Sequence, residues 1–517
     1  MLQITEKQLH AECQKLIKKH ERYMRELRKE DVRRKRRGTV PSTGQIHRPS
    51  YWSLDKGFDP YHVRSNRKSI VYAVNKALKN GRYEPRSPIA HDVPKAGGEI
   101  RVVSIFQIVD SVVSREVFRS LSDKNKALMS ARSYAYRDDL SAHDAIQYIA
   151  SEFKTDDRLY IAEFDFSKYF DSISHDHIQE TITKNGFLIT KAEQRIVNAF
   201  LKASPISELN YNLISDPEIR TAGIPQGTSL SLFLANIAAW QLDRSLERIG
   251  VGFARYADDT LVWSRDYVHI STAVNILKRE SVAMGARLNP KKSKGVRLFV
   301  PAGEKSEISS TDTIEFVGYR FSRGAIGFNR AVEQRIKNRI EHLTWSNLLQ
   351  ALQQGGFQQE RISQPIDRDY IVLLMQIRRY LYGNYSESKV RSLERGAVKR
   401  LRFPGVLSYF PLATDTSQMV SLDGWLSGTL HQAMKKRAEL LQSRGIVDLP
   451  YPHGLSKSEL IAAMGVTSRG VEVDLRIPSI RRFISVLNRT VEMYGANSIG
   501  RGVGAEQYQY SIGLIEG

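Results

Sequence analysis

The stretch FARYADDTLVW, residues 253–263, sets two adjacent carboxylates, Asp258 and Asp259, between two apolar runs. Short runs of this kind around a polar break read as two strands joined by a tight turn. Neighbouring like charges repel and both must stay hydrated, so the pair adds nothing to strand stability and belongs at a tip. A second segment has a matching pattern. RLYIAEFDF (158–166) alternates, with Tyr160, Ala162, Phe164 and Phe166 on one face and Leu159, Ile161, Glu163 and Asp165 on the other. It predicts a strand that delivers Asp165 to an open face near its end. A strand acid and a hairpin-tip acid from a neighbouring strand can converge on one edge of a sheet.

Elsewhere the chain reads as helical. Residues 1–38 predict one charged helix with a thin apolar stripe of Leu9, Leu16 and Ile17. Its basic end, Arg33 to Arg37, suits either a solvated helix terminus or a polyanion contact. Residues 228–250 predict one helix, with Leu230, Leu234, Ala238, Leu242 and Leu246 at intervals of four and Gly250 as its stop. After about 326 the pattern is mostly helical and rich in Arg and Lys. The whole is an α+β chain of 517 residues, long enough for several domains.

Lys and Arg number 77 against 56 Asp and Glu, a formal charge of +21. That excess suits a polyanionic partner, because neutralising phosphates releases counterions. Cys13 is the single cysteine, which excludes a disulfide framework and a CxxC zinc site and suits a reducing cytoplasm. The N-terminal stretch lacks the apolar core of a signal peptide, and no run has the length of a membrane span. The expectation is a cytoplasmic protein with no membrane partner.

Asp165, Asp258 and Asp259 offer carboxylate oxygens with no Cys or His nearby in sequence, a donor set for hard Mg²⁺ rather than zinc. Two such ions can activate a hydroxyl and stabilise a pyrophosphate leaving group. Around these acids lie further motifs in a fixed order: VPKAGGEIRVVSI (93–105), SYAYRDDLSAHDAI (133–146), FDFSKYFDSI (164–173), GIPQGTSLSLFLANI (223–237), YADD (256–259), RLNPKKSK (287–294) and IEFVGYRF (314–321). Together they resemble the reverse transcriptases over residues 83 to 321.

The resemblance implies a right-hand polymerase fold: a basic N-terminal helix and linker (1–45), fingers (46–157), a palm with an antiparallel sheet (158–325), a helical thumb or maturase-like region (326–445) and a C-terminal extension (446–517) with a flexible tail. It implies that Asp165, Asp258 and Asp259 hold two Mg²⁺ ions, Asp258 being the better direct ligand. Lys95 and Arg101 would neutralise the triphosphate of a dNTP, and Phe170 would lie under its sugar and exclude a 2′-hydroxyl. Gln226 and Lys292 would also face the nucleotide, and Pro225, Gly227 and Tyr256 the template and primer. Within the family, Leu232 stands where proline is common, and the variant resembles bacterial defence-associated and abortive-infection branches. That branch implies a structured non-coding RNA template, a cDNA product that can be repetitive or poly-deoxyadenylate, and antiphage function. It also implies that a homo-oligomer is admissible and that a tail tyrosine, Tyr508 or Tyr510, can prime synthesis. Two other readings use the same residues: a non-catalytic, maturase-like RNA binder, and a polymerase that needs no template.

Overall fold

The computed structural model describes residues 2–39, 48–94, 98–155, 158–214, 217–290, 293–356, 358–362, 365–383, 385–396, 400–468 and 471–501. The chain divides into two compact units, the first built mainly from residues 45–312 and the second mainly from residues 313–507.

The strands of the first unit are, in chain order, β1 (Ile89–Pro94), β2 (Ile100–Ile105), β3 (Leu159–Phe164), β4 (Ile206–Ser207), β5 (Gly252–Tyr256), β6 (Asp259–Ser264), β7 (Lys294–Phe299) and β8 (Ser310–Thr311). They form a small sheet, β2-β1-β4, and a larger one, β5-β6-β3-β7-β8. The sequence predicts β3 with one open face. Instead Leu159, Ile161, Ala162 and Phe164 are all buried. β3 is a central strand, flanked by β6 and β7, both antiparallel to it, and side chains on both of its faces are buried. Glu163, the charged member of the strand, is compensated by Arg297 and by Lys294 at 3.2 Å.

One helix of this unit, packed against helices Ile108–Asn125 and His175–Lys184, is largely apolar. In Ser229–Ala238 the residues Leu230, Phe233, Leu234, Ala235, Ile237 and Ala238 are buried. Thr228 caps it by accepting from the Ser231 N–H at 3.2 Å. The continuous helix predicted over 228–250 is broken. Ala239 (φ −90°, ψ 2°) ends the first segment, and a second runs from Trp240 to Arg248. The break lets the Trp240 indole donate to Leu128 O at 2.7 Å and brings Asp243 to Arg255. At the N-terminus, helix Glu6–Arg37 contributes Leu9 and Cys13 to the same core, with Leu16 packed against it.

The second unit opens with an antiparallel meander, β9 (Thr313–Phe316), β10 (Tyr319–Ser322) and β11 (Ala325–Phe328). Helices follow, notably Arg330–Thr344, Arg368–Tyr382, Thr416–Gln442 and Ile480–Tyr494. At their centre Arg437 and Asp367 form a buried ion pair at 2.7 Å. Arg37, at the end of the basic N-terminal run, belongs to this unit and is neither solvated nor open to a polyanion. It is buried, donating to Asn347 Oδ1 at 2.7 Å and pairing with Glu30 at 3.1 Å. Among the described residues no helix is long and apolar enough to cross a membrane.

Candidate active site

The hairpin predicted from FARYADDTLVW is present. Tyr256 pairs with Asp259, which leaves Ala257 and Asp258 as a two-residue loop. Ala257 takes φ 60°, a left-handed conformation that costs a residue with a Cβ. On β3, Phe164 pairs with Thr260. Continuing that register by one residue sets Asp165 opposite Asp259, so the three acids share one end of the central strands. The RLNPKKSK stretch braces Asp165 from its other flank: Asn289 N–H donates to Asp165 O at 2.8 Å, and Ser167 N–H to Arg287 O at 2.8 Å.

All three acids are half-buried. Among the described residues no three or more carboxylate, imidazole or thiol side chains stand close enough to enclose one ion. That arrangement still fits Mg²⁺, which is ordinarily held by one or two carboxylates, waters and substrate phosphates rather than by an all-protein cage.

The GIPQG loop lies beside this edge and is tied down by its own chain. Ser104 N–H donates to Gln226 O at 2.6 Å, Ile224 N–H to Phe170 O at 2.6 Å, and the Ser231 hydroxyl to Pro225 O at 2.6 Å. Pro225 is buried and Gly227 exposed. Two glycines of this loop stand close to the chain's own backbone. A Cβ on Gly227 (φ 126°) would stand 2.2 Å from Ser104 O, and one on Gly223 (φ 83°) 2.6 Å from Asp171 O. Gly227→Ala is accordingly expected to cost about 1–3 kcal/mol of local stability. A fall in the thermal midpoint, together with loss of activity, would register it.

Gln226 is half-buried, and its Nε2 donates to Asp171 Oδ1 at 3.1 Å. A carboxylate only accepts, so this contact turns the amide oxygen of Gln226 toward whatever approaches the loop. Phe170 is half-buried too, its ring edge-on to Tyr169 at 5.8 Å and to Tyr136 at 6.3 Å. Tyr256 is half-buried at the end of β5. Arg101 is exposed on β2, paired with Val93 of β1 in the hairpin predicted for that stretch. Lys95, Lys292, Tyr508 and Tyr510 lie outside the described residues.

Tyr136 is a site residue that the sequence reading does not single out. Its phenol is pushed up to about 12, by burial first and then by the negative charge of Asp258 and by Tyr256, while Arg101 pulls the other way. It is therefore a protonated donor at neutral pH, within the field of Asp258 and Arg101. It also lines a cavity of about 180 Å³ with Phe118, Met129 and Phe233. Its signal was present as the second tyrosine of SYAYR, but only its left-handed φ of 63° and its neighbours give it a role.

Residues 93–321 match the family described as reverse transcriptase (RNA-dependent DNA polymerase). Among curated relatives, a protein named for COX1/OXI3 intron 1 of Saccharomyces cerevisiae is 28% identical over 173 residues, 33% of this chain and 19% of that protein. The group II intron-encoded protein LtrA of Lactococcus lactis subsp. cremoris is 25% identical over 214 residues, 40% of this chain and 32% of that protein. The chain thus spans at most a third of the length of these relatives. Among solved structures, apo telomerase from Candida tropicalis is 13% identical at a TM-score of 0.38, covering 86% of this chain and 70% of that one. Telomerase from Candida albicans in complex with a telomeric RNA fragment gives 13% and 0.35, covering 73% and 64%. The two-acid hairpin and the braced central strand of this chain lie within residues 93–321, the segment that matches the reverse transcriptase family.

Proposed function

We propose that this chain is an RNA-templated DNA polymerase that extends a primer with deoxynucleotides on a structured RNA. The observation that carries the reading is the β3–β6–β5 register, which sets Asp165 beside the Ala257–Asp258 loop inside the matched segment. Asp165 and Asp258 would hold Mg²⁺ with the triphosphate of the incoming nucleotide as the remaining ligands. Such ions, when bound, favour ionisation of the primer 3′-hydroxyl and offset the charge of the departing pyrophosphate.

The chain's own residues do the rest. Arg101, exposed on β2, supplies positive charge to the triphosphate. Tyr136 offers a phenolic proton beside Asp258. Phe170 presents its ring where a 2′-hydroxyl would clash, which selects deoxynucleotides. Gln226 keeps its amide oxygen turned outward by Asp171. The net charge of +21 and relatives named for introns support an RNA partner. An antiphage role, and synthesis primed by Tyr508 or Tyr510, rest on the motif variant at Leu232 and the family resemblance.

The test supplies purified protein with Mg²⁺, a DNA primer on an RNA template and labelled dNTPs. Template-dependent extension by the wild type is the expected result; a wild type that binds the duplex but adds no nucleotide, or that ignores the template, overturns the reading. In the same assay Phe170→Val is expected to relax the preference for dATP over ATP by about 10–100-fold in kcat/KM. An unchanged ratio would remove Phe170 from the sugar site.

A further inference from the structure

The YADD turn is held from behind by a charge. Arg255, on β5, is only 1 % exposed. A guanidinium has five N–H donors, and here all five meet acceptors. Nε and Nη2 reach the two oxygens of Asp243 at 2.7 and 2.6 Å, and Nη2 also reaches Ser133 Oγ at 2.7 Å. Nη1 donates to Ala257 O at 3.0 Å and to Asn236 Oδ1 at 3.4 Å. Asn236 in turn donates to Ala135 O at 2.9 Å. The backbone of Arg255 is engaged as well, donating to Arg132 O at 3.0 Å and accepting from Tyr134 N–H at 2.9 Å.

The segments joined in this way end at two strained residues. Ala257 (φ 60°) immediately precedes Asp258, and Tyr136 (φ 63°) closes the 132–136 stretch. Each such conformation costs on the order of 1–2 kcal/mol for a residue with a Cβ and persists only where its surroundings over-determine it. A buried ion pair is a poor device for stability alone, since its desolvation offsets much of its attraction. Its geometric rigidity is a better account of its presence.

We propose that Arg255, clamped by Asp243, is a positioning residue that fixes the Ala257–Asp258 loop against the segment carrying Tyr136, and so sets the Asp258 carboxylate for metal binding. The inference rests on the polymerase reading and deepens it. Lysine cannot take over: it keeps the charge but has three donors on a flexible stem and no planar fork. A displacement of about 1 Å at a reacting centre can cost roughly 100-fold in rate.

The test compares wild type, Arg255→Lys and Ser133→Ala with primer and RNA template in place. Direct titration with Mn²⁺ reads ion affinity, while DNA synthesis over a range of Mg²⁺ and dNTP concentrations separates kcat from KM. For Arg255→Lys the expected result is weaker Mn²⁺ binding, a higher Mg²⁺ requirement and a fall in kcat of about 100-fold at nearly unchanged dNTP KM. If Arg255→Lys does not fold, Ser133→Ala decides, because it keeps the ion pair and loses one acceptor that ties the two segments. It is expected to fold normally and to shift the Mg²⁺ requirement in the same direction by a smaller factor. A folded Arg255→Lys with wild-type Mn²⁺ affinity and Mg²⁺ response sinks the proposal, as does an unshifted Ser133→Ala where the lysine variant is unfolded. Inactive wild type would instead count against the polymerase reading, and the Mn²⁺ titration would still judge the positioning role.

Discussion

Asp258→Asn is expected to slow DNA synthesis by about 10³-fold, equivalent to about 4 kcal/mol of lost transition-state stabilisation, while the fold stays intact. The substitution keeps size and shape and removes the charge that a hard divalent ion needs. Asp258 sits in the two-residue loop itself, half-buried, where no strand pairing depends on its side chain. Removing one of two adjacent like charges also relieves repulsion, so the thermal midpoint should hold or rise slightly. Asp259 differs: it is already part of β6, paired with Tyr256, and its asparagine variant is expected to lose less activity. Primer extension for both variants, with thermal melts alongside, checks the ranking. Equal activity of Asp258→Asn and wild type would remove this turn from the chemistry.

The second large effect lies in the other unit and concerns stability. Arg437, buried among helices, donates to Asp367 Oδ2 at 2.7 Å, Asp369 Oδ2 at 2.9 Å and Leu348 O at 2.7 Å. Asp367 also caps helix Arg368–Tyr382 and receives His453 at 2.9 Å. Burial alone would raise the Asp367 carboxyl; Arg437 and His453 outweigh it and hold it below the usual carboxylate range. Arg437→Met leaves that carboxylate buried without its main counter-charge, a loss of about 3–5 kcal/mol. Adding Asp367→Asn should recover much of it, because the amide oxygen can still cap the helix without a charge. Hydrogen exchange of the amides in Arg368–Tyr382 and Thr416–Gln442 would read both changes.

The sign of the acid dependence follows from the same pair. A carboxylate whose folded pKa is depressed stabilises fully above its unfolded value of about 4 and loses that contribution as pH falls toward the folded one. Protection in these helices should therefore weaken below about pH 4 in the wild type and respond less in Asp367→Asn.

The hairpin at 252–264 was legible because two apolar runs around a pair of acids leave few alternatives, and its loop falls where those acids are. The β1–β2 hairpin was legible for a similar reason, paired glycines standing between its two strands in the sequence. What sequence could not reveal was which residues oppose one another across long separations. Arg255 reads as one more basic residue in a chain of charge +21, yet its partners come from positions 133, 236, 243 and 257. Tyr136 was hidden likewise, since nothing local distinguishes it from Tyr134. The break at Ala239 escaped the spacing of leucines because the same four-residue interval continues across it. The glycines of the GIPQG loop showed that space was needed, not that the neighbour would be the chain's own Ser104 and Asp171.

The saturation of Arg255 has a meaning for descent. A lineage that replaces Ser133, Asn236 or Asp243 alone strands a buried donor in the progenitor's arginine, and one that replaces the arginine alone strands a buried acid. Neutral drift is thereby closed at these sites one at a time. Homologous chains should carry the set entire or exchange it together, leaving a correlated footprint spread over more than a hundred residues.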